Sequence, residues 1–218
     1  MRVLTFLFFF PLWLFLSLGL VYAQDKHTEV GLGAGVNYYL GDINYTTQFY
    51  KPRQSISVFY RQGIYDHFAA RAFVNYGFLT ADDKDFDYEY QKVRNRSFSK
   101  HFVALGTLAE FNFLPYKPGN VRKEKITPFI AAGMSYSFLI QAFTFPFGVG
   151  VKYNLTRRWA LGAQHFYNFL LQDKMDIGTE QNINGQQISN PKNRDWYACF
   201  QISLSYKIDN CQKCPAYD

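Results

Sequence analysis

The sequence predicts an all-β chain, an eight-stranded antiparallel transmembrane β-barrel with short periplasmic turns and longer extracellular loops. Three observations carry that expectation. Apolar residues alternate with small or polar ones through eight segments of roughly ten residues, the length of a strand tilted across a bilayer. Connections between the segments alternate between short and long. Aromatic residues make up 20% of the 218 positions, yet mean hydropathy is only −0.21, so the aromatics must gather on one face. With 48% hydrophobic residues, disorder is excluded. At 18% charged residues the chain is unlike a polytopic helical membrane protein, and three cysteines are too few for a disulfide framework.

Residues 1–23 stand apart from the fold. Met1 and Arg2 precede an uncharged run over 3–22, and Val21-Tyr22-Ala23 supplies a small-residue exit before Gln24-Asp25-Lys26. That pattern reads as a secretory signal peptide cleaved after Ala23, with an N-terminal membrane anchor as the competing reading. Cleavage removes one basic residue and leaves a net charge of +5.

The barrel is expected over 24–208. In the first segment, 29–38, Val30, Leu32, Ala34, Val36 and Tyr38 share one parity; Glu29, Gly31, Gly33, Gly35 and Asn37 share the other. The second, 54–61, sets Ile56, Val58 and Tyr60 against Ser55, Ser57 and Arg61, with Phe59 out of pattern. The third, 68–78, turns Phe68, Ala70, Ala72, Val74, Tyr76 and Phe78 away from Arg71 and Asn75. The fourth, 101–113, opposes Val103, Leu105, Ala109, Phe111 and Phe113 to Gly106, Glu110 and Asn112; Leu108 is the exception.

Residues 126–151 carry no charge and are long enough to be mistaken for a membrane helix. Pro128, Pro146, Gly133, Gly148 and Gly150 argue against one. Period 2 instead resolves two strands joined near 139–142, a turn without Gly or Pro. Segments 159–169 and 196–208 complete the eight. The apolar face holds the aromatics, and Tyr38, Tyr60, Phe78, Tyr153, Trp159, Trp196 and Tyr206 are placed for interfacial girdles. A soluble sandwich or lipocalin-like barrel would point that face inward. Against this, the other face holds Gly, Ser, Asn and isolated charges, which suit a narrow polar lumen.

An eight-stranded barrel is just wide enough for side chains to fill it. Glu29, Arg61, Arg71, Glu110, Lys152 and Lys207 fall on the inward parity. Both signs are present, so a luminal salt-bridge network is the reading, ahead of a solute channel. Nothing points to catalysis or to a cofactor. His27, His67, His101 and His165 lack metal-ligand spacing, and no Ser sits in a nucleophile elbow. Gly31, Gly33 and Gly35 form no dinucleotide fingerprint. A nucleic-acid partner is not expected.

Charge is more informative. The inner-rim turns at 114–125 and 154–158 carry Lys117, Arg122, Lys123, Lys125, Arg157 and Arg158 against Glu124 alone, which equals the whole basic excess of the mature chain. The loop at 80–96 is balanced by comparison. The basic rim is therefore a candidate docking surface for a periplasmic partner, or a contact for acidic lipid headgroups. The tail, 209–218, carries Cys211 and Cys214 into an oxidising compartment. These cysteines have two options, a local bridge or a disulfide to another protein. Cys199 falls on the inward face as a buried thiol.

Several stretches together resemble the PorG family, the small outer-membrane barrel of the Bacteroidetes type IX secretion system. They are Tyr39-Leu40-Gly41-Asp42-Ile43-Asn44, Phe111-Asn112-Phe113-Leu114-Pro115-Tyr116, Thr127-Pro128-Phe129, the run at 146–156, Asp195-Trp196-Tyr197, Ser203-Leu204-Ser205-Tyr206-Lys207 and the C-terminal cysteine. Their order and spacing carry the likeness; the third outer loop, 139–142, is shorter than in relatives. The resemblance implies a non-enzymatic role: tethering the periplasmic ring, built from a lipoprotein and its partner protein, to the outer membrane. It also implies that a tail cysteine could bond covalently to that lipoprotein. The rival class is a stand-alone OmpA-like structural barrel, or one that binds surfaces through its outer loops.

Overall fold

A computed structural model describes residues 27–41, 44, 47–85, 97–116, 125–171 and 196–209, with Asp209 as backbone only. The expected leader at 1–23 and the cysteines of the tail lie outside the described residues. Eight strands follow in order: β1 His27–Leu40, β2 Arg53–Gly63, β3 Phe68–Asp82, β4 Ser97–Asn112, β5 Ile126–Ser137, β6 Ala142–Asn154, β7 Trp159–Leu170 and β8 Trp196–Asp209. Each pairs antiparallel with its sequence neighbour, and β1 closes on β8 from His27↔Asp209 to Leu40↔Trp196. The result is the expected closed eight-stranded barrel. Closure removes every sheet edge, which is what a strand structure needs in lipid.

The strands run longer than expected, 11 to 16 residues. β3 continues to Asp82 and β4 starts at Ser97, so the loop between them is shorter than 80–96 and opens on a 3-10 turn at Asp83–Asp85. Both described chain ends and the connections at 64–67, 113–125 and 155–158 share one rim, the inner rim. The turn at 64–67 is closed by Ile64 and Tyr65 N–H donating to the Phe68 carbonyl. At the outer rim the β5–β6 connection turns without Gly because Gln141 itself adopts φ 55°.

The outside of the barrel is apolar. Leu32, Ile56, Val58, Leu105, Met134, Val149 and Ile202 are exposed, with Tyr60, Phe68, Phe113, Tyr153 and Trp159 towards the inner rim. Serines, amides and charges are buried within. This inverted pattern suits lipid rather than water, and it removes the soluble-barrel alternative.

Two aromatics, Phe59 and Tyr38, depart from the parity reading. Phe59, like Leu108, points into the lumen and is buried. Tyr38 is no girdle residue. Its hydroxyl donates to Gln48 Oε1 at 2.7 Å and lies 2.9 Å from His165 Nε2. The Phe49 ring covers it at 4.8 Å. Phe49 reaches that wall from the first outer loop with φ 57°, and Lys51 follows at φ 41°. Both are strained conformations for residues with a Cβ. At the same rim, Lys51 Nζ pairs with Asp85 at 2.5 Å and Tyr50 donates to Asp85, together holding that carboxyl below its ordinary range.

Candidate functional site: lumen and inner rim

The six inward charges predicted from parity meet in one buried layer. Strand register begins the arrangement. Glu29 lies opposite Arg61 on one side and Lys207 on the other, and Arg61 lies opposite Arg71. Two cations facing each other would repel; Glu110 from β4 separates them. It accepts a hydrogen bond from Lys152 Nζ at 2.7 Å and forms ion pairs with Arg61, whose Nε lies at 3.0 Å, and with Arg71. Glu29 takes Arg61 Nη1 at 2.5 Å. Lys152 also donates to Asn112 Oδ1 at 2.8 Å, and Lys207 to Asn154 Oδ1 at 2.6 Å. Every one of these charged side chains is at most 3% exposed. Ion pairs join Glu29, Arg61, Arg71, Glu110 and Lys152, while Lys207 is held by the Asn154 amide.

Sequence reasoning missed the stopper beneath this layer. Tyr116, in the long β4–β5 turn, folds back into the inner mouth and is 1% exposed. Lys207 Nζ stands 4.4 Å and Lys152 Nζ 4.8 Å from its ring centroid, and the His27 ring meets it edge-on at 5.4 Å. The Tyr116 N–H donates to the Asp66 carbonyl at 2.9 Å, which ties the turn to its neighbour. Burial and the adjacent Glu29 charge push the phenol well above its ordinary pKa. The turn's unusual length, with an aromatic immediately after Pro115, was the available signal.

Above the charges lies a layer of amides and hydroxyls. Arg71 Nη1 donates to Gln164 Oε1 at 2.6 Å, Gln164 Nε2 to Gln201 Oε1 at 3.1 Å, and Gln201 Nε2 to Ser55 Oγ at 2.8 Å. Phe59 sits among them with the Arg61 and Arg71 guanidiniums each 5.0 Å from its ring centroid. Such contacts contribute up to about 2 kcal/mol each when desolvated. Gly31 makes room for that ring, since a Cβ there would fall 2.3 Å from Phe59. A cavity of about 40 Å³ remains beside Arg71. At the outer end Tyr39, Leu79, Phe102, Ile140, Leu170 and Tyr197 form an apolar cluster. The described lumen is thus closed by aromatics above and below. Cys199, a free thiol, is enclosed in the upper lumen with Ser55 Oγ at 3.8 Å, as the parity reading expected of a buried thiol.

The inner rim carries the basic residues. Lys125, Arg157 and Arg158 are exposed there. The backbone is fixed at two of them: Asn154 N–H donates to the Lys125 carbonyl at 2.8 Å, and Lys207 N–H to the Arg158 carbonyl at 2.7 Å. Lys117, Arg122, Lys123, Cys211 and Cys214 lie outside the described residues. Among the described residues, no group of His, Cys, Asp or Glu could hold a metal ion.

A family model described as a domain of unknown function, DUF6089, matches residues 6–216. The chain belongs to the DUF6089 family. No curated protein matches it significantly. Among solved structures, this DUF6089 barrel is similar to Ail, the attachment invasion locus protein of Yersinia pestis, at 9% identity and a TM-score of 0.47, covering 85% of this chain and 100% of that one. Neisserial surface protein A is similar at 13% identity and 0.46, covering 85% and 98%. OprG from Pseudomonas aeruginosa is similar at 7% and 0.45, covering 84% and 96%. At such identities and scores the barrel's own geometry must carry any functional reading.

Proposed function

We propose that this chain is a non-enzymatic outer-membrane component of a type IX secretion system, anchoring the periplasmic ring to the outer membrane. The observation that carries this reading is the inner rim. Lys125, Arg157 and Arg158 stand exposed, Lys125 and Arg158 on hydrogen-bonded backbone, and Lys117, Arg122 and Lys123 belong to the same turn as Lys125 in sequence. Tyr116 stoppers the mouth between them. A sealed floor with fixed cations presents a preorganised face to an acidic partner surface, and preorganisation lowers the entropic cost of docking. The ordered resemblance to the PorG family supplies the partner class: the ring lipoprotein and its partner protein. A tail thiol, Cys211 or Cys214, would add a covalent link to that lipoprotein, while Cys199 is enclosed in the lumen and takes no part.

The test is a triple reversal, Lys125→Glu, Arg157→Glu and Arg158→Glu, in otherwise intact cells. Co-purification of the ring proteins is expected to fall at least tenfold with the barrel still folded. An unchanged co-purification profile overturns the docking surface. Deletion that leaves secretion and ring assembly intact overturns the whole reading and leaves a stand-alone barrel. Non-reducing gels of Cys211→Ser and Cys214→Ser examine the covalent link; one band at monomer mass, wild type included, eliminates it.

A further inference from the structure

We infer that the luminal cavity beside Pro146 takes the terminal carbons of a lipid acyl chain, admitted from the bilayer through the seam between β5 and β6. The first observation is a break in the wall. The β5–β6 ladder runs from Ile126↔Tyr153 to Ala132↔Phe147 and resumes at Ser135↔Thr144, with no pairs where Gly133 and Met134 face Pro146 and Phe145. The other seven ladders are continuous among the described residues. The cause is chemical. Pro146 has no N–H to donate, which is why proline in sheets keeps to edge strands, strand starts and bulges. Pro128 lies near the start of β5, but Pro146 stands in the middle of β6, in a closed barrel that has no edge. On its other side Pro146 pairs with Asn168 in the ordinary way. An unpaired backbone group against lipid is costly, and a seam short of a rung parts more easily than a complete one.

The second observation is the space behind the break. Gly133 lies in register between Leu108 and Pro146, and both of these line the cavity of about 40 Å³. Gly133 adds no side chain, so the wall between them is backbone alone. Phe59, Phe73 and Phe166 complete the apolar lining. The polar side chains around it are committed to one another: Arg71 to Gln164 and Glu110, Gln164 and Ser57 to Gln201, and Gln201 to Ser55. A cavity that presents rings rather than free polar atoms favours an apolar guest over water. A water-sized group needs about 10–15 Å³, so the space suits about three or four chain carbons. On the lipid side the seam is fronted by Met134, 55% exposed, and by Phe145. A methionine side chain is unbranched and gives way readily. The apolar molecules in contact with that wall are the bilayer's own chains, which sets the occupant.

Cys199 lines the cavity and reports on entry. Cys211→Ser and Cys214→Ser leave it as the one thiol of the chain. This protein, folded into phosphocholine bilayers, is treated with propyl methanethiosulfonate or with the charged 2-sulfonatoethyl analogue. Each forms a disulfide with the Cys199 sulfur, releases methanesulfinate and is read as a mass gain. The propyl reagent partitions into the bilayer and is expected to label Cys199 at least tenfold faster, with each rate normalised to a free thiol. Pro146→Val restores the N–H at similar volume and is expected to slow the propyl reagent at least tenfold. Crystals grown with a lipid brominated at its acyl terminus should show anomalous density against Leu108 and Phe166. Equal rates for the two reagents mean entry through an end of the lumen, and no labelling of the folded barrel means a closed wall; either overturns the proposal. So does an unchanged propyl rate in Pro146→Val, or bromine confined to the outside of the barrel. Should Pro146→Val fail to fold, the two rates in the parent chain and the bromine density decide.

Discussion

Replacing Glu110 by Gln removes the single carboxylate on which Arg61, Arg71 and Lys152 converge, with Lys152 at 2.7 Å, Arg61 at 3.0 Å and Arg71 paired beside them. The isosteric amide preserves shape and leaves three cations around a neutral group that is 1% exposed. Breaking a buried pair by deleting one partner costs about 3–5 kcal/mol. For a chain of this size each kcal/mol moves the melting midpoint by about 2–4 °C. Glu110→Gln should therefore melt about 6–20 °C lower, read by heat-modified migration on gels or by circular dichroism in micelles. The double variant Glu110→Gln with Lys152→Met removes one orphaned cation and should recover part of the loss, since hydrophobic replacement of buried pairs is often neutral. A Glu110→Gln midpoint within about 2 °C of wild type would refute the reasoning: it would mean that the lumen is wet enough to solvate the three cations.

Two further outcomes follow from the stopper and the glycine. Tyr116→Ala should open the inner mouth and lower the melting midpoint, since it deletes a buried ring and costs about 3–5 kcal/mol, while Tyr116→Phe, which keeps the ring against Lys152 and Lys207, should lose far less; equal midpoints of all three would dismiss the stopper. Gly31→Ala drives a Cβ into the Phe59 ring and against the Leu204 carbonyl and should cost about 1–3 kcal/mol as overpacking, whereas adding Phe59→Leu should relieve the part due to the ring; an additive double variant in urea titrations would contradict that contact.

The wall of this barrel was legible because period 2 is imposed on every residue of a strand that has lipid on one side. The six luminal charges were legible for the same reason, since parity alone placed Glu29, Arg61 and Lys152 on one inner surface. Parity says nothing about height. It could not reveal that the lumen stacks a charged layer below, amides in the middle and the Tyr39, Phe102 and Tyr197 cluster on top. Nor could it foresee Tyr38, whose outward position is correct but whose exposure is cancelled by Phe49 folding down from a loop. Phe59 broke the pattern visibly, and the explanation lay on a different strand at Gly31. Tyr116 escaped because a turn has no periodicity from which to read where its side chains return.

The luminal network also has a kinetic meaning. Its bonds join β2 to β4, β4 to β6 and β3 to β7, besides the adjacent β1–β2 and β3–β4 pairs. Contacts between strands that never touch along the wall form only after the sheet has curled shut. They belong to the last stage of assembly, and interactions absent from the transition state slow unfolding rather than speed folding. The charged layer thus acts as a latch set from inside. It lets the apolar strands insert and pair at their own pace, then holds the β1–β8 seam closed once they have.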